Sequence, residues 1–204
     1  MAPVSPTLVR FPDDQVIYAV PNWEELTELC FQVSLQIRED GHSFPVMVTL
    51  AKGGFPLARI LADFLQIPLI VSMGVHFYTG IGTRAATPEI YQDISPLDTI
   101  RGKNILLFDD VADSGESLLF AREYLLASGA GKVVTSALYY KEKSKIVPDY
   151  FGQLSAEWIV FPFEAMETHR YLSQRWRTEQ VAAAEQYQRF LQLGLRESWL
   201  AETK

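Results

Sequence analysis

The 204-residue chain is 48% hydrophobic and 21% charged, with a net charge of −7 and an isoelectric point near 5.0, the balance of a globular protein of one domain with a small appendage. No Lys/Arg stripe suits nucleic acid, no apolar run is long enough to cross a bilayer, and the opening MAPVSPTLVRF lacks the pattern of a secretory leader. A single cysteine, Cys30, excludes an internal disulfide, and a cytoplasmic protein with neither nucleic acid nor membrane as partner is expected.

After an irregular start, PNWEELTELCFQVSLQI reads as a helix: Asn22 can cap it, Glu25 stands three residues on, and Trp23, Leu26, Leu29, Cys30, Val33 and Ile37 recur at helical spacing. PVMVTLA is a continuous apolar run, the mark of a strand buried on both faces. KGG ends it, and FPLARILADFL follows as a helix with Pro56 near its first turn. IPLIVSMGV is a second buried strand. Residues 76–95 are polar and irregular, with a short strand around EIYQDI, and their length marks them as functional or mobile. NILLFDD is a third strand, and ESLLFAREYLLASGA a helix stopped at Gly129. KVVTSALYY is a fourth strand and EWIVFPF a short fifth. Arg170, Arg175 and Arg177 read as a solvated face. From about Thr178 the tail is a helix with one apolar stripe, suited to packing on the domain or on another subunit.

Strand, helix, strand with continuous apolar strands predicts an α/β fold, a twisted parallel sheet with helices on both faces. Ligands of such sheets bind beyond the carboxyl ends of the strands. Those ends carry AKGG, DDVADSGES and YYKEK. Residues 112–117, ADSGES, lie between a strand and a helix, where free amides and the positive end of the helix dipole favour a phosphate. Gly115 allows close backbone approach, and the Ser114 and Ser117 hydroxyls add donors. No P-loop and no dinucleotide fingerprint occurs in this turn. The preceding acids ask for hydroxyls, a hard cation or a proton to be moved. Any one of Asp109, Asp110 and Asp113 alone would be structural; three acids followed by Ser-Gly-x-Ser point to function.

ILLFDDVADSGES resembles the phosphoribosyl diphosphate (PRPP) binding motif of type I phosphoribosyltransferases, and the surrounding strand order extends the resemblance over residues 46–164. The resemblance implies a Rossmann-like sheet in a domain of residues 1–172, including a small aromatic hood, with a helical extension at 173–204. Asp109 and Asp110 would bond the ribose 2- and 3-hydroxyls, and Ala112, Asp113, Ser114, Gly115, Glu116 and Ser117 would wrap the 5-phosphate. Asp113 would face N7 of the base as general acid/base. AKGG resembles the family's pyrophosphate loop, where Lys52, Gly53 and Gly54 meet the diphosphate and a non-proline cis peptide is common. Mg²⁺ would sit on the PRPP oxygens, reached indirectly by Asp109 and Asp110. Residues 76–95 correspond to the flexible loop that closes over the reacting centre, with Tyr78, Thr79 and Arg84 as contacts; a solvated loop is the alternative.

VVTSALYYKEKS resembles the strand of 6-oxopurine enzymes whose lysine reaches the purine O6, a role that falls on Lys141. An ammonium there favours an oxo acceptor over an amino donor. EWIVFPFE resembles the hood over the base, with Trp158 stacking on the purine and Glu164 near its C2 substituent, although Trp158 also suits an ordinary core. The family's Ser-Tyr of the flexible loop is absent: the chain has VSMGVHFYTG. The expectation is a purine phosphoribosyltransferase for hypoxanthine, guanine or xanthine, assembled as a homodimer or homotetramer. An enzyme for adenine, uracil or orotate is the nearest alternative, and a PRPP-sensing regulator without catalysis is another.

Overall fold

The computed structural model describes residues 5–78 and 87–201. Packing divides the chain into two units, Thr27–Ala156 and Met1–Leu26 with Glu157–Lys204. The border falls within helix α1, Trp23–Glu39. That helix starts at the expected capping box. The Glu25 N–H donates to Asn22 Oδ1 at 2.9 Å and the Asn22 N–H donates to Glu25 Oε2 at 2.7 Å.

The unit of residues 27–156 is built on a six-stranded sheet. In chain order it contains β3 (Val46–Ala51), α2 (Gly54–Leu65), β4 (Leu69–Tyr78), β5 (Thr87–Gln92), β6 (Asn104–Ala112), α3 (Glu116–Ala127), β7 (Lys132–Tyr140) and β8 (Tyr150–Leu154). The strand order is β5-β4-β3-β6-β7-β8, parallel throughout except for β5. Val46, Val48 and Leu50 of β3 and Ile105 and Leu107 of β6 pack with Leu118, Ala121 and Leu125 of α3. Strand alternation turns Met47, Leu106 and Phe108 to the opposite face, where they are equally buried. There α2 packs on β3 and β6. Both sides of the sheet are thus covered, which is why its strands carry no polar alternation. The expected mostly parallel, helix-flanked sheet is the fold.

The short strand expected around EIYQDI is β5; β4 runs on past IPLIVSMGV to Tyr78, and β5 pairs with it antiparallel as a sheet edge, where one side meets solvent and polar residues are tolerated. Two elements differ from expectation. EWIVFPF does not supply the fifth strand of this sheet. Only Trp158–Ile159 are extended there, and the strand beside β7 is β8, whose YFGQL carries too little apolar pattern to stand out. Gly152 in β8 is required by close approach, since a Cβ would lie 2.8 Å from the Leu138 carbonyl and 3.2 Å from Leu29.

In the other unit the irregular N-terminus is a hairpin, β1 (Thr7–Arg10) with β2 (Ile17–Val20), and β9 (Trp158–Ile159) pairs parallel to β2. Helices α4 (Ala165–Thr178), α5 (Ala183–Gln192) and α6 (Glu197–Ala201) follow. Helix α4 ends at Thr178 and Gln180 turns the chain at φ +60°, so the tail helix expected from about Thr178 is α5, which starts at Ala183. Phe11, Tyr18, Leu172, Trp176 and Phe190 form the centre of this core. Arg175 faces inward instead of forming a solvated cluster: its Nη2 bonds Asp14 Oδ1 at 2.5 Å and its Nη1 donates to the Tyr18 hydroxyl at 2.9 Å. Arg189, 2% exposed, pairs with Asp13 and Glu185 and lies over the rings of Phe11 and Trp176.

Candidate active site

Strands β3, β6 and β7 are parallel neighbours, so their carboxyl ends share one edge of the sheet. The AKGG turn leaves β3, the acids and residues 112–117 leave β6, and Lys141 follows β7. Sequence stretches 30 to 60 positions apart are therefore brought together by one ladder.

The floor of the site is the acid pair. Asp110 is 6% exposed and its N–H donates to Asp109 Oδ1 at 3.0 Å. Burial pushes the Asp110 carboxyl above the usual range, against the pull of hydrogen bonds from the Asp109 side chain and the Val111 amide. Gly53 lies directly on this carboxyl: a Cβ at 53 would stand 2.5–2.7 Å from its three outer atoms. At Gly54 a Cβ would overlap the Thr49 hydroxyl. Two glycines follow Lys52 because backbone must pass where no side chain fits. The Ala51–Lys52 peptide bond is cis, as the resemblance implies, and Lys52 is exposed beside it.

Beyond the acids, Gly115 adopts φ +73° and α3 begins at Glu116. The amides of a first helical turn have no intrahelical partner and can meet an anion; here the Glu116 N–H donates to the Ser114 hydroxyl oxygen at 3.4 Å. The turn is held from behind by residues 141–146. The Lys141 N–H donates to the Ala112 carbonyl at 3.1 Å and the Lys145 N–H to the Ser114 carbonyl at 2.8 Å. A Cβ at Gly115 would overlap the Ser144 hydroxyl.

Asp113, half exposed, meets two cations. Lys143 Nζ lies 2.8 Å from its Oδ1 and Lys141 Nζ 3.6 Å from its Oδ2. Lys141 is the more enclosed, with its side chain 14% exposed against 68% for Lys143. Lys145 pairs with Glu116 in the same turn. One edge of the sheet thus gathers a half-exposed acid between two lysines, an adjacent pair of carboxylates and the start of a helix.

The phosphoribosyl transferase domain model matches residues 22–167. The chain belongs to the phosphoribosyltransferase family. A xanthine-guanine phosphoribosyltransferase of Gluconobacter oxydans is 27% identical over 73% of this chain and 86% of its own length. A hypoxanthine-guanine phosphoribosyltransferase of Streptococcus pneumoniae is 25% identical over 61% of this chain and 69% of its own. Among solved structures, a purine phosphoribosyltransferase from Pyrococcus horikoshii superposes with a TM-score of 0.62 at 27% identity, covering 72% of this chain and 91% of that one.

In this phosphoribosyltransferase the remaining candidates fall in different places. Trp158 and Glu164 lie in the unit formed by the two ends of the chain. The Trp158 ring packs on Tyr171 at 4.9 Å, and Glu164 directly precedes α4, its carbonyl accepting from the Thr168 N–H. Tyr78 is the last residue of β4. Thr79 and Arg84 lie outside the described residues. Lys143 was not singled out by sequence reasoning. A lysine two positions after Lys141 in a solvated turn carries no pattern of its own, and only the fold of residues 141–146 turns it onto Asp113.

Proposed function

We propose that this enzyme transfers the 5-phosphoribosyl group of PRPP to a 6-oxopurine, namely hypoxanthine, guanine or xanthine, giving the nucleoside 5-monophosphate and pyrophosphate. The observation that carries the base class is Lys141, a nearly enclosed ammonium 3.6 Å from Asp113 at the end of β7. A donor-only group there rewards an O6 acceptor and penalises the amino group of adenine. The names of the relatives point the same way.

In this reading Asp109 and Asp110 accept from the ribose hydroxyls, and the turn at residues 112–117 holds the 5-phosphate. As N9 of the base bonds to C1 of the ribose, the bond from C1 to the diphosphate breaks and pyrophosphate leaves with its electron pair. Asp113 takes the proton released at N7. Lys52 and the amides of Gly53 and Gly54 receive the leaving charge. Mg²⁺ fills its shell largely with substrate and water oxygens, which suits a site where the two adjacent carboxylates bond the ribose rather than the ion. Among the described residues no group of three or more His, Cys, Asp or Glu side chains is placed to hold a metal unaided. Asp109 and Asp110 would reach the ion through PRPP oxygens, and when bound it would neutralise diphosphate charge.

Residues Trp158 and Glu164 enter this reading as base contacts on the strength of the motif alone, as do Tyr78, Thr79 and Arg84 in the loop. The chain is read as cytoplasmic and as a homodimer or homotetramer; among the described residues no helix is long and apolar enough to cross a membrane.

Incubation with PRPP and Mg²⁺ and each base in turn tests the assignment. Turnover is expected with at least one of hypoxanthine, guanine and xanthine. Turnover confined to adenine, uracil or orotate would overturn the base class. Lys143→Ala provides a second check. The pair it breaks is exposed on both sides, so the melting temperature should hold, and kcat/KM should fall by about fivefold at most, the reach of a surface ion pair that orients Asp113.

A further inference from the structure

The edge strand reaches the AKGG turn through one side chain. In the ladder of β4 with β5, Gly74 pairs with Gln92 and Val75 with Ile90, which leaves Tyr91 as the extra residue of a bulge. Bulges re-aim side chains and are common beside active sites. Here the Tyr91 ring lies across β4 at Gly74, where any Cβ would overlap it. Gly74 is in turn the ladder partner of Ala51 on β3. The Tyr91 hydroxyl, having crossed one strand, donates to the Ala51 carbonyl at 3.0 Å. His76 braces the ring, stacked on it at 5.3 Å and 24°, and is itself held by Glu89 at 3.1 Å. A bulge, a glycine gap and a stacked histidine all serve to put one phenol on one carbonyl.

That carbonyl belongs to the residue immediately before Lys52, Gly53 and Gly54. We propose that Tyr91 is a positioning residue for the pyrophosphate subsite, anchoring the upstream end of the loop whose lysine and amides meet the diphosphate. The proposal rests on the reading of residues 52–54 as the diphosphate loop. The downstream end is already fixed, since Gly53 packs on Asp110 and Gly54 on Thr49. With the upstream end also fixed, the loop amides keep one arrangement, and the diphosphate need not order them on binding. In this role Tyr91 acts through the Ala51 carbonyl rather than on the substrate. Its loss should therefore fall on the diphosphate half of PRPP and spare the ribose phosphate half.

Calorimetry on the full chain with two probes separates these halves: inorganic pyrophosphate with Mg²⁺, and ribose 5-phosphate. In Tyr91→Phe, the pyrophosphate Kd should rise about three- to tenfold, the range of a single hydrogen bond, with ribose 5-phosphate binding and melting temperature unchanged. The KM for PRPP should rise with it while the KM for the base stays constant. Tyr91→Ala, which also removes the ring from Gly74 and His76, should weaken pyrophosphate at least as much. Unchanged pyrophosphate binding in Tyr91→Phe would overturn the proposal, and so would equal weakening of both probes. A wild-type protein that bound ribose 5-phosphate but not pyrophosphate would overturn the reading of residues 52–54 and the proposal with it.

Discussion

Asp113→Asn is expected to lower kcat by about two to four orders of magnitude, the contribution of a positioned general acid/base, while leaving PRPP affinity close to that of the wild type. The amide keeps the shape and one acceptor oxygen but cannot take a proton. It also releases Lys141 and Lys143, whose pairs with Asp113 span 3.6 Å and 2.8 Å. Lys143 stays solvated when freed, whereas Lys141, its side chain 14% exposed, loses the carboxylate it faces, so a modest drop in melting temperature should accompany the loss of rate. In the proposed mode of binding the 5-phosphate is held by the amides of the turn and the ribose by Asp109 and Asp110, none of which the substitution alters. Steady-state kinetics beside direct PRPP titration decides the matter. A collapse of PRPP affinity with kcat preserved would remove Asp113 from the proton-transfer role.

The largest effect on stability is expected at Asp14, far in sequence from the motifs. Its side chain is fully buried and accepts from the Tyr18 hydroxyl at 2.6 Å, the Val16 amide at 2.9 Å, Arg175 at 2.5 Å and the Trp176 indole at 3.3 Å. Burial alone would raise its carboxyl, and these four donors reverse that and hold it below the ordinary value. Asp14→Ala leaves Arg175, 22% exposed, without its enclosed partner, at a cost of about 3 kcal/mol. For a chain of this length that is a drop of about 6–12 °C in melting temperature at pH 7. The sign with pH follows from the lowered carboxyl. The unfolded chain binds this proton more readily, so Asp14 contributes its full stabilisation above about pH 4 and loses it as the pH falls through its lower folded value. Thermal melts of wild type and variant should converge in acid. A gap that persisted unchanged at pH 2 would assign the stabilisation to packing rather than to the carboxylate.

The site was legible where its parts are contiguous. ILLFDDVADSGES carries strand, acids, phosphate turn and helix start in 13 consecutive residues, and each part is decided by local rules of alternation, capping and turn geometry. Asn22 and Glu25 were legible for the same reason, because a capping box needs only four residues. The hairpin of β1 and β2 was not, since four-residue strands around PDD show no period long enough to read. Strand β8 escaped because it is extended by its neighbour β7 rather than by its own pattern. Arg175 looked solvated because charge is normally exposed, and Asp14, 161 positions away, makes its partial burial tolerable.

The amino-acid sequence by itself determined which groups stand at the candidate site: three acids and a Ser-Gly-Glu-Ser turn at one strand end, AKGG at another, and Lys141 at a third. Their common edge follows from parallel strand order, which continuous apolar strands already require. Only the tertiary structure decided what holds that chemistry in place. Lys143 on Asp113, Gly53 on the Asp110 carboxyl and Tyr91 on the Ala51 carbonyl are contacts between segments 30 to 60 residues apart. Such contacts depend on register, bulge and side-chain direction, which no local pattern encodes and which exist only once the sheet has formed.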